Sequence, residues 1–197
     1  MTTIYFVRHA EPDKDKFNAD QFNCPLSEKG KKDAQALINL FSDKEIHKVF
    51  SSPYRRAIDT VKPFADKNDF EVELDKDFSE WEIGRDWMYS YEEYRGFIKR
   101  HWDDFSHQEG RSERLGEIQE KNISALNKIL KQHPGKNIII GSHGMALSLV
   151  INHFDKAFGM EEFLSISNRW PWLVRMDFAI DGKFIGWNEM SDIDLSL

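Results

Sequence analysis

Two histidines close apolar runs at opposite ends of the chain. His9 follows Ile4-Tyr5-Phe6-Val7-Arg8, and His143 follows Ile138-Ile139-Ile140-Gly141-Ser142. Each run reads as a short buried strand. In an open α/β sheet, ligands gather outside the carboxyl ends of the strands. Arg8, His9 and His143 are therefore expected at one site. Two further segments carry complementary groups: Arg56 in Ser51-Ser52-Pro53-Tyr54-Arg55-Arg56-Ala57, and Glu80 in Phe78-Ser79-Glu80-Trp81-Glu82-Ile83-Gly84. Together these side chains suit phosphoryl transfer. A phosphoryl group in flight spreads negative charge over its equatorial oxygens and must be positioned and neutralised. Two guanidiniums offer fixed forks of donors. One imidazole can attack phosphorus and carry it covalently, a second can donate to a remaining oxygen, and a carboxylic acid can protonate the departing alkoxide.

Each piece also has an ordinary reading. An Arg-His dipeptide arises by chance, an arginine on a first helical turn is commonly a solvated charge, Glu80 could be a surface carboxylate, and His143 a satisfied core histidine. The pairing of two strand-end histidines is what gives the set weight.

The elements that must position these groups alternate along the chain. Residues 10–26 read as a loop. Ser27 caps a helix carrying Ala34, Leu37, Ile38 and Phe41 at helical spacing, and a strand follows at Ile46–Phe50. Ser52 as N-cap with Pro53 at the first helical position starts a helix to about Lys67, kinked or shortened by Pro63. Phe70–Leu74 alternates as a strand. Residues 78–110, rich in Trp, Tyr and Phe among charges, read as a loop followed by one or two amphipathic helices over the sheet edge, broken at Gly110-Arg111-Ser112. A helix over Glu113–Gln132, the Ile138–Ile140 strand, a helix from His143–Gly144 and a short helix near Glu161–Ile166 follow. Trp172–Ile180 and Phe184–Met190 flank Asp181-Gly182 as a hairpin. This alternation implies an α/β fold: a three-layer sandwich with a mainly parallel central sheet, helices on both faces and an antiparallel edge. The whole of 1–197 is expected to be one domain.

Composition narrows the partners. The net charge of −7 argues against a nucleic-acid backbone or an anionic membrane, but a local Arg/His cluster can still bind a small phosphorylated molecule. There is no signal-peptide pattern and no apolar run of membrane-spanning length, so a cytoplasmic enzyme is expected. The lone Cys24 forms no internal disulfide. The histidines lack tight ligand spacing, so no metal site is expected, and phosphate-cradling nucleotide fingerprints are absent. No cofactor is implied. The oligomeric state is left open.

In order, the motifs resemble the histidine phosphatase superfamily, also called phosphoglycerate-mutase-like. Arg8-His9-Ala10-Glu11 resembles its Arg-His-Gly/Ala-Glu opening, and Pro25-Leu26-Ser27-Glu28-Lys29-Gly30 its Pro-Leu-Thr/Ser-x-x-Gly. Ser51 through Thr60 resembles Ser-Ser/Asp-x-x-x-Arg-Ala-x-x-Thr, which selects Arg56 over Arg55. Glu80, Gly84 and Trp87 fit Glu-x-x-x-Gly-x-x-Trp, which selects Glu80 over Glu82. Gly110-Arg111-Ser112 and Ser142-His143-Gly144 complete the set. The resemblance implies that His9 is the phosphorylated nucleophile and Glu80 the general acid, with Arg8, Arg56 and His143 forming the phosphate pocket. Asn23 and Ser27 would help line it, and the Gly144 amide would face phosphate. It further implies a helical lid, about residues 86–112, over the C-terminal ends of the strands. Met88-Tyr89 after Trp87, and Arg111 in place of the frequent Glu, depart from the pattern and bear on substrate identity. The implied activity is metal-independent phosphomonoester hydrolysis. Phosphoglycerate mutase-type transfer and a non-catalytic phospho-ligand module are the alternatives. Asp86, Glu92, Glu93, Asp103, Asp104 and Glu109 outnumber Arg95, Lys99 and Arg100 in the lid, which favours a monophosphate with an apolar or sugar body.

Overall fold

The computed structural model describes residues 1–17, 19–84 and 90–190; Asn18, Asp86, Trp87, Met88 and Tyr89 lie outside the described residues. The strand order is β3-β2-β4-β1-β5-β6. The strands are β1 (Thr2–Arg8), β2 (Lys48–Ser51), β3 (Val72–Leu74), β4 (Asn137–Ser142), β5 (Trp172–Phe178) and β6 (Phe184–Glu189). The first four are mutually parallel, and β5 and β6 add the expected antiparallel edge. The helices are α1 (Lys14–Phe17), α2 (Glu28–Leu40), α3 (Arg55–Lys67), α4 (Tyr91–Asp103), α5 (Leu115–Gln132), α6 (Gly144–Phe154) and α7 (Met160–Ile166).

All seven residues of β1 are buried, as a strand covered on both faces requires. Side chains alternate across a strand. Ile4 and Phe6 join Ile138, Ile140 and the apolar stripes of α5, α6 and α7 on one face. Tyr5, Val7 and Ile139 join Leu37, Phe41, Val61 and Phe64 of α2 and α3 on the other. These two cores form the three-layer α/β sandwich expected from the alternating pattern.

Several boundaries differ from the sequence expectation, for physical reasons. The 10–26 loop contains the short helix α1, whose first backbone amides are met by Asp13. Ser27 caps α2 as expected, its Oγ accepting from Gly30 N at 3.0 Å. Ser52 does not cap α3. Tyr54 is the N-cap and the helix starts at Arg55; the Ser52 hydroxyl accepts from His143 Nε2 at 2.7 Å and from Tyr54 N at 3.4 Å. The helix then runs through Pro63 to Lys67. One helix, α4, stands in the described part of the aromatic segment, started by a Ser90–Glu93 capping box. Trp81 stacks on Phe97 of α4, and Arg95 forms a two-pronged pair with Glu161, which ties α4 to α7. Gly84 has φ +67°, and a Cβ there would lie 2.2 Å from the Arg111 carbonyl oxygen. Only glycine fits that crossing of the Glu80 loop with the 110–112 turn. No helix among the described residues is long and apolar enough to cross a membrane.

Candidate active site

Register delivers the two histidines side by side. Val7 pairs with Gly141 and Arg8 with Ser142 in the parallel β1–β4 ladder, and His9 N donates to the Ser142 carbonyl at 3.0 Å. The next residue on each strand is therefore an imidazole. The rings lie 5.4 Å apart between centroids, edge to face. On the other flank of β4, Ser51 pairs with Gly141, which sets Ser52 beside His143.

Hydrogen bonds fix both tautomers. His9 Nδ1 lies 2.8 Å from the Ala10 carbonyl oxygen. A carbonyl only accepts, so Nδ1 carries the proton and Nε2 keeps its lone pair. His143 is arranged the opposite way. Its Nδ1 accepts from Arg56 Nη2 at 3.2 Å, and its Nε2–H donates to Ser52 Oγ at 2.7 Å. Burial is the main force holding both rings neutral well below the ordinary histidine range. Arg56, followed by Arg8, adds to it at His9, and Arg56, His9 and Arg8 add to it at His143.

Both guanidiniums are anchored through their Nη atoms. Arg8 donates through Nη1 and Nη2 to the carbonyls of Ile166, Ser167 and Arg169, where α7 ends, and stacks 5.2 Å from the Trp170 ring. Arg56 donates to the Gln21 carbonyl and His143, and lies 4.7 Å over the Tyr54 ring. Burial is the main cause that lowers both, Arg8 to about 10. In each, Nε is buried without a hydrogen-bond partner among the described residues. An orphaned buried donor is costly.

Glu80 sits at the start of α6. Its Oε1 accepts from Trp81 N at 3.0 Å and Ala146 N at 3.1 Å, and Oε2 from Met145 N at 3.3 Å. The helix N-terminus thus fixes this carboxyl group beside both arginines, whose charges it supports. Gly144, the first residue of α6, lies against Arg8. A Cβ there would stand 3.2 Å from Arg8 Cζ and Nε. Gly144→Ala is expected to displace this guanidinium by a few tenths of an ångström and lower kcat/KM about tenfold with little change in Tm. Steady-state kinetics and thermal melts check both halves.

Arg8, His9, Arg56, Glu80 and His143 therefore converge. Asn23 and Ser27 do not join them through their side chains. The Asn23 amide group donates to Asp20, and Ser27 Oγ donates to Glu11 while capping α2. That loop reaches the cluster instead through the Gln21 carbonyl. Three contributors escaped the sequence reading. Ser52 orients His143. Tyr54 lies 5.0 Å from the His143 ring. Tyr94 of α4 is raised to about 12 by burial and, second, by the charge of Glu80. Ser52 was visible in its motif, where capping preference is the stronger local signal; nothing local marks Tyr94.

The two neutral rings set an acid limit on the fold. In the unfolded chain histidine takes up its proton near pH ~6.5, and in the fold both rings resist it until well below that. The unfolded state thus binds more protons in this interval. The stability the rings contribute is full above about pH 6.5 and is lost as pH falls toward their folded values. Tm is expected to drop on acidification from about pH 6.5, with His9→Asn showing a shallower slope than wild type. Thermal melts between pH 7.5 and 5 measure this.

A mainly parallel sheet presents two neutral imidazoles and two buried guanidiniums at its carboxyl edge, an arrangement suited to handling a phosphoryl group. The pattern of the histidine phosphatase superfamily (branch 1) matches residues 4–181, and the chain belongs to that superfamily as an enzyme of the phosphatase class. A probable phosphoglycerate mutase of Cronobacter sakazakii is 27% identical over 173 residues, covering 77% of this chain and 74% of the relative. Phosphoserine phosphatase 1 of Hydrogenobacter thermophilus is 27% identical over 154 residues, covering 73% and 71%. Among solved structures, YhfR of Bacillus stearothermophilus superposes with a TM-score of 0.77 at 23% identity, covering 99% of both chains.

Proposed function

We propose that this chain hydrolyses a small phosphomonoester through a phosphohistidine on His9, without a metal ion. The observation that carries the reading is the neutral, Nδ1-protonated His9 set beside the buried guanidiniums of Arg8 and Arg56. Arg8 and Arg56 hold the phosphoryl oxygens. His9 Nε2 attacks phosphorus, the P–O ester bond breaks, and the leaving oxygen takes a proton from Glu80. Water then attacks the phosphohistidine, giving its proton to the Glu80 carboxylate as the P–N bond breaks. Phosphate leaves and both residues return to their starting states. His143, neutral and tied to Arg56 and Ser52, fixes that guanidinium.

The relatives' names divide between mutase and phosphatase, and the lid cations favour the phosphatase. A mutase must hold a second anionic group on its substrate. Here Arg95 pairs with Glu161, Lys99 with Asp103 and Arg100 with Glu109. These three α4 cations are already paired with carboxylates. The test is aryl phosphate hydrolysis in chelator with trapping of an acid-labile phosphoprotein, run beside 3-phosphoglycerate isomerisation. Hydrolysis with a trapped phosphohistidine supports the reading. Isomerisation outpacing hydrolysis makes the chain a mutase, and neither activity makes it a binding module.

A further inference from the structure

Glu80 must stand at a fixed place to protonate the leaving oxygen, and one of its backbone donors is the N–H of Trp81. The Trp81 indole is buried and tightly held. It stacks on Phe97 of α4 at 5.5 Å, meets the His101 ring edge to face at 5.0 Å, and donates through Nε1 to the Glu113 carbonyl at 2.8 Å. His101, one turn beyond Phe97, is fully buried. Its Nδ1 lies 2.9 Å from the Phe97 carbonyl oxygen, which only accepts, so Nδ1 carries the proton. Nε2 then accepts from the Ser112 hydroxyl at 3.0 Å, and that hydroxyl oxygen accepts from Glu109 N at 3.1 Å. Burial is the main cause that lowers the pKa of this ring, and the nearby His107, Glu109 and Arg100 contribute less. His101 thus joins α4 to the Gly110-Arg111-Ser112 motif. The residue after Ser112 clasps the Glu80 loop: Glu113 N donates to the Glu82 carbonyl and the Glu113 carboxylate accepts from Glu82 N, each at 3.0 Å.

We propose that His101, together with Ser112, is a positioning residue for Glu80. It acts along two short paths. Its ring contact fixes the Trp81 indole, and with it the backbone N–H that meets Glu80 Oε1. Its bond to Ser112 fixes the turn whose next residue grips both Glu82 and the indole. The phosphate-holding groups lie off both paths. Among the described residues, the side chains of His101 and Ser112 bond Phe97, Glu109 and each other, and none of Arg8, His9, Arg56 and His143. Loosening the pair therefore moves the acid and leaves the phosphate pocket standing. The inference rests on the reading of Glu80 as the acid of the phosphomonoesterase above.

The experiment measures single-turnover phosphoenzyme formation from an alkyl phosphate and from a nitrophenyl phosphate, with the inhibition constant of inorganic phosphate. His101→Phe keeps a ring against Trp81 and Phe97 and removes both hydrogen bonds; Ser112→Ala removes only the hydroxyl. His101→Phe is expected to slow the alkyl ester about tenfold and the nitrophenyl ester about twofold or less, because only the first needs a well-placed acid. The phosphate inhibition constant should stay unchanged. Ser112→Ala should show the same split at smaller size, and it carries the comparison if His101→Phe does not fold. In a Glu80→Gln background no acid is left to position, so His101→Phe should slow the alkyl ester by no more than about twofold further. Equal losses with the two esters, weakened phosphate inhibition, or a His101→Phe loss of undiminished size beside Glu80→Gln overturns the inference. Failure of the parent reading looks different: no phosphoenzyme in the wild type removes the phosphohistidine, a Glu80→Gln that slows both esters alike removes the acid, and either takes this inference with it.

Discussion

His9→Ala is expected to lower aryl phosphate turnover by at least about four orders of magnitude, to leave no trappable phosphoenzyme, and to preserve the fold. The kinetic half follows from the covalent path. Without Nε2 no P–N bond forms, and the remaining groups offer water only the oriented electrostatics of the pocket. The structural half follows from how few bonds His9 makes. Its side chain holds one local hydrogen bond, to the Ala10 carbonyl. Arg8 and Arg56 are anchored elsewhere, on the carbonyls after α7 and on Gln21. The phosphate pocket should therefore outlast its nucleophile. Inorganic phosphate is expected to raise the Tm of His9→Ala, because a ligand that binds only the native state stabilises it by mass action. A variant that keeps substantial turnover would remove His9 from the mechanism. A variant that loses the phosphate-induced rise in Tm would show instead that the ring props the pocket open.

How far the sequence carried depended on whether a signal was local. The strand that ends in His9 is a run of apolar residues, and burial on both faces is all such a run encodes, so its place in a parallel sheet followed. The pairing of His9 with His143 was legible because each follows its strand at the same offset, and the β1–β4 register turned that offset into adjacency. Hydrogen-bond assignments were not legible. Ser52-Pro53 has the strongest local preference for a helix start, yet the hydroxyl bonds His143, ninety-one residues away in sequence, and α3 begins at Arg55. Ser52 thus holds a tertiary partner, and the local capping preference of about 1 kcal/mol did not set the helix start. Ser27, whose hydroxyl meets only Glu11 and its own helix, kept the cap that local preference assigns. Short of tertiary contacts, nothing in Arg8 foretells that α7 would end against it, or that Glu80 would sit on the first amides of α6.

Glu80→Gln is expected to reorder substrates by leaving group. An alkyl phosphate needs a proton on its departing oxygen, and loss of the acid should cost about 10³-fold there. A nitrophenyl phosphate leaves as a stabilised anion and should lose about tenfold or less in phosphoenzyme formation. In the proposed path the same carboxylate takes a proton from the water that hydrolyses phosphohistidine, and in the variant that second step should be impaired whatever the leaving group was. With a nitrophenyl phosphate the variant should therefore release one equivalent of nitrophenol in a burst and accumulate phosphohistidine, where the wild type turns over steadily. Structure adds a modest term. A glutamine keeps one acceptor for Trp81 N and Ala146 N, but its amide nitrogen would face Met145 N, donor against donor. Misplacement alone slows all substrates alike, whereas loss of a shared acid and base separates them and produces the burst. Rapid-quench measurements with the two ester classes distinguish these outcomes, and equal losses without a burst would leave Glu80 as a positioning group on α6.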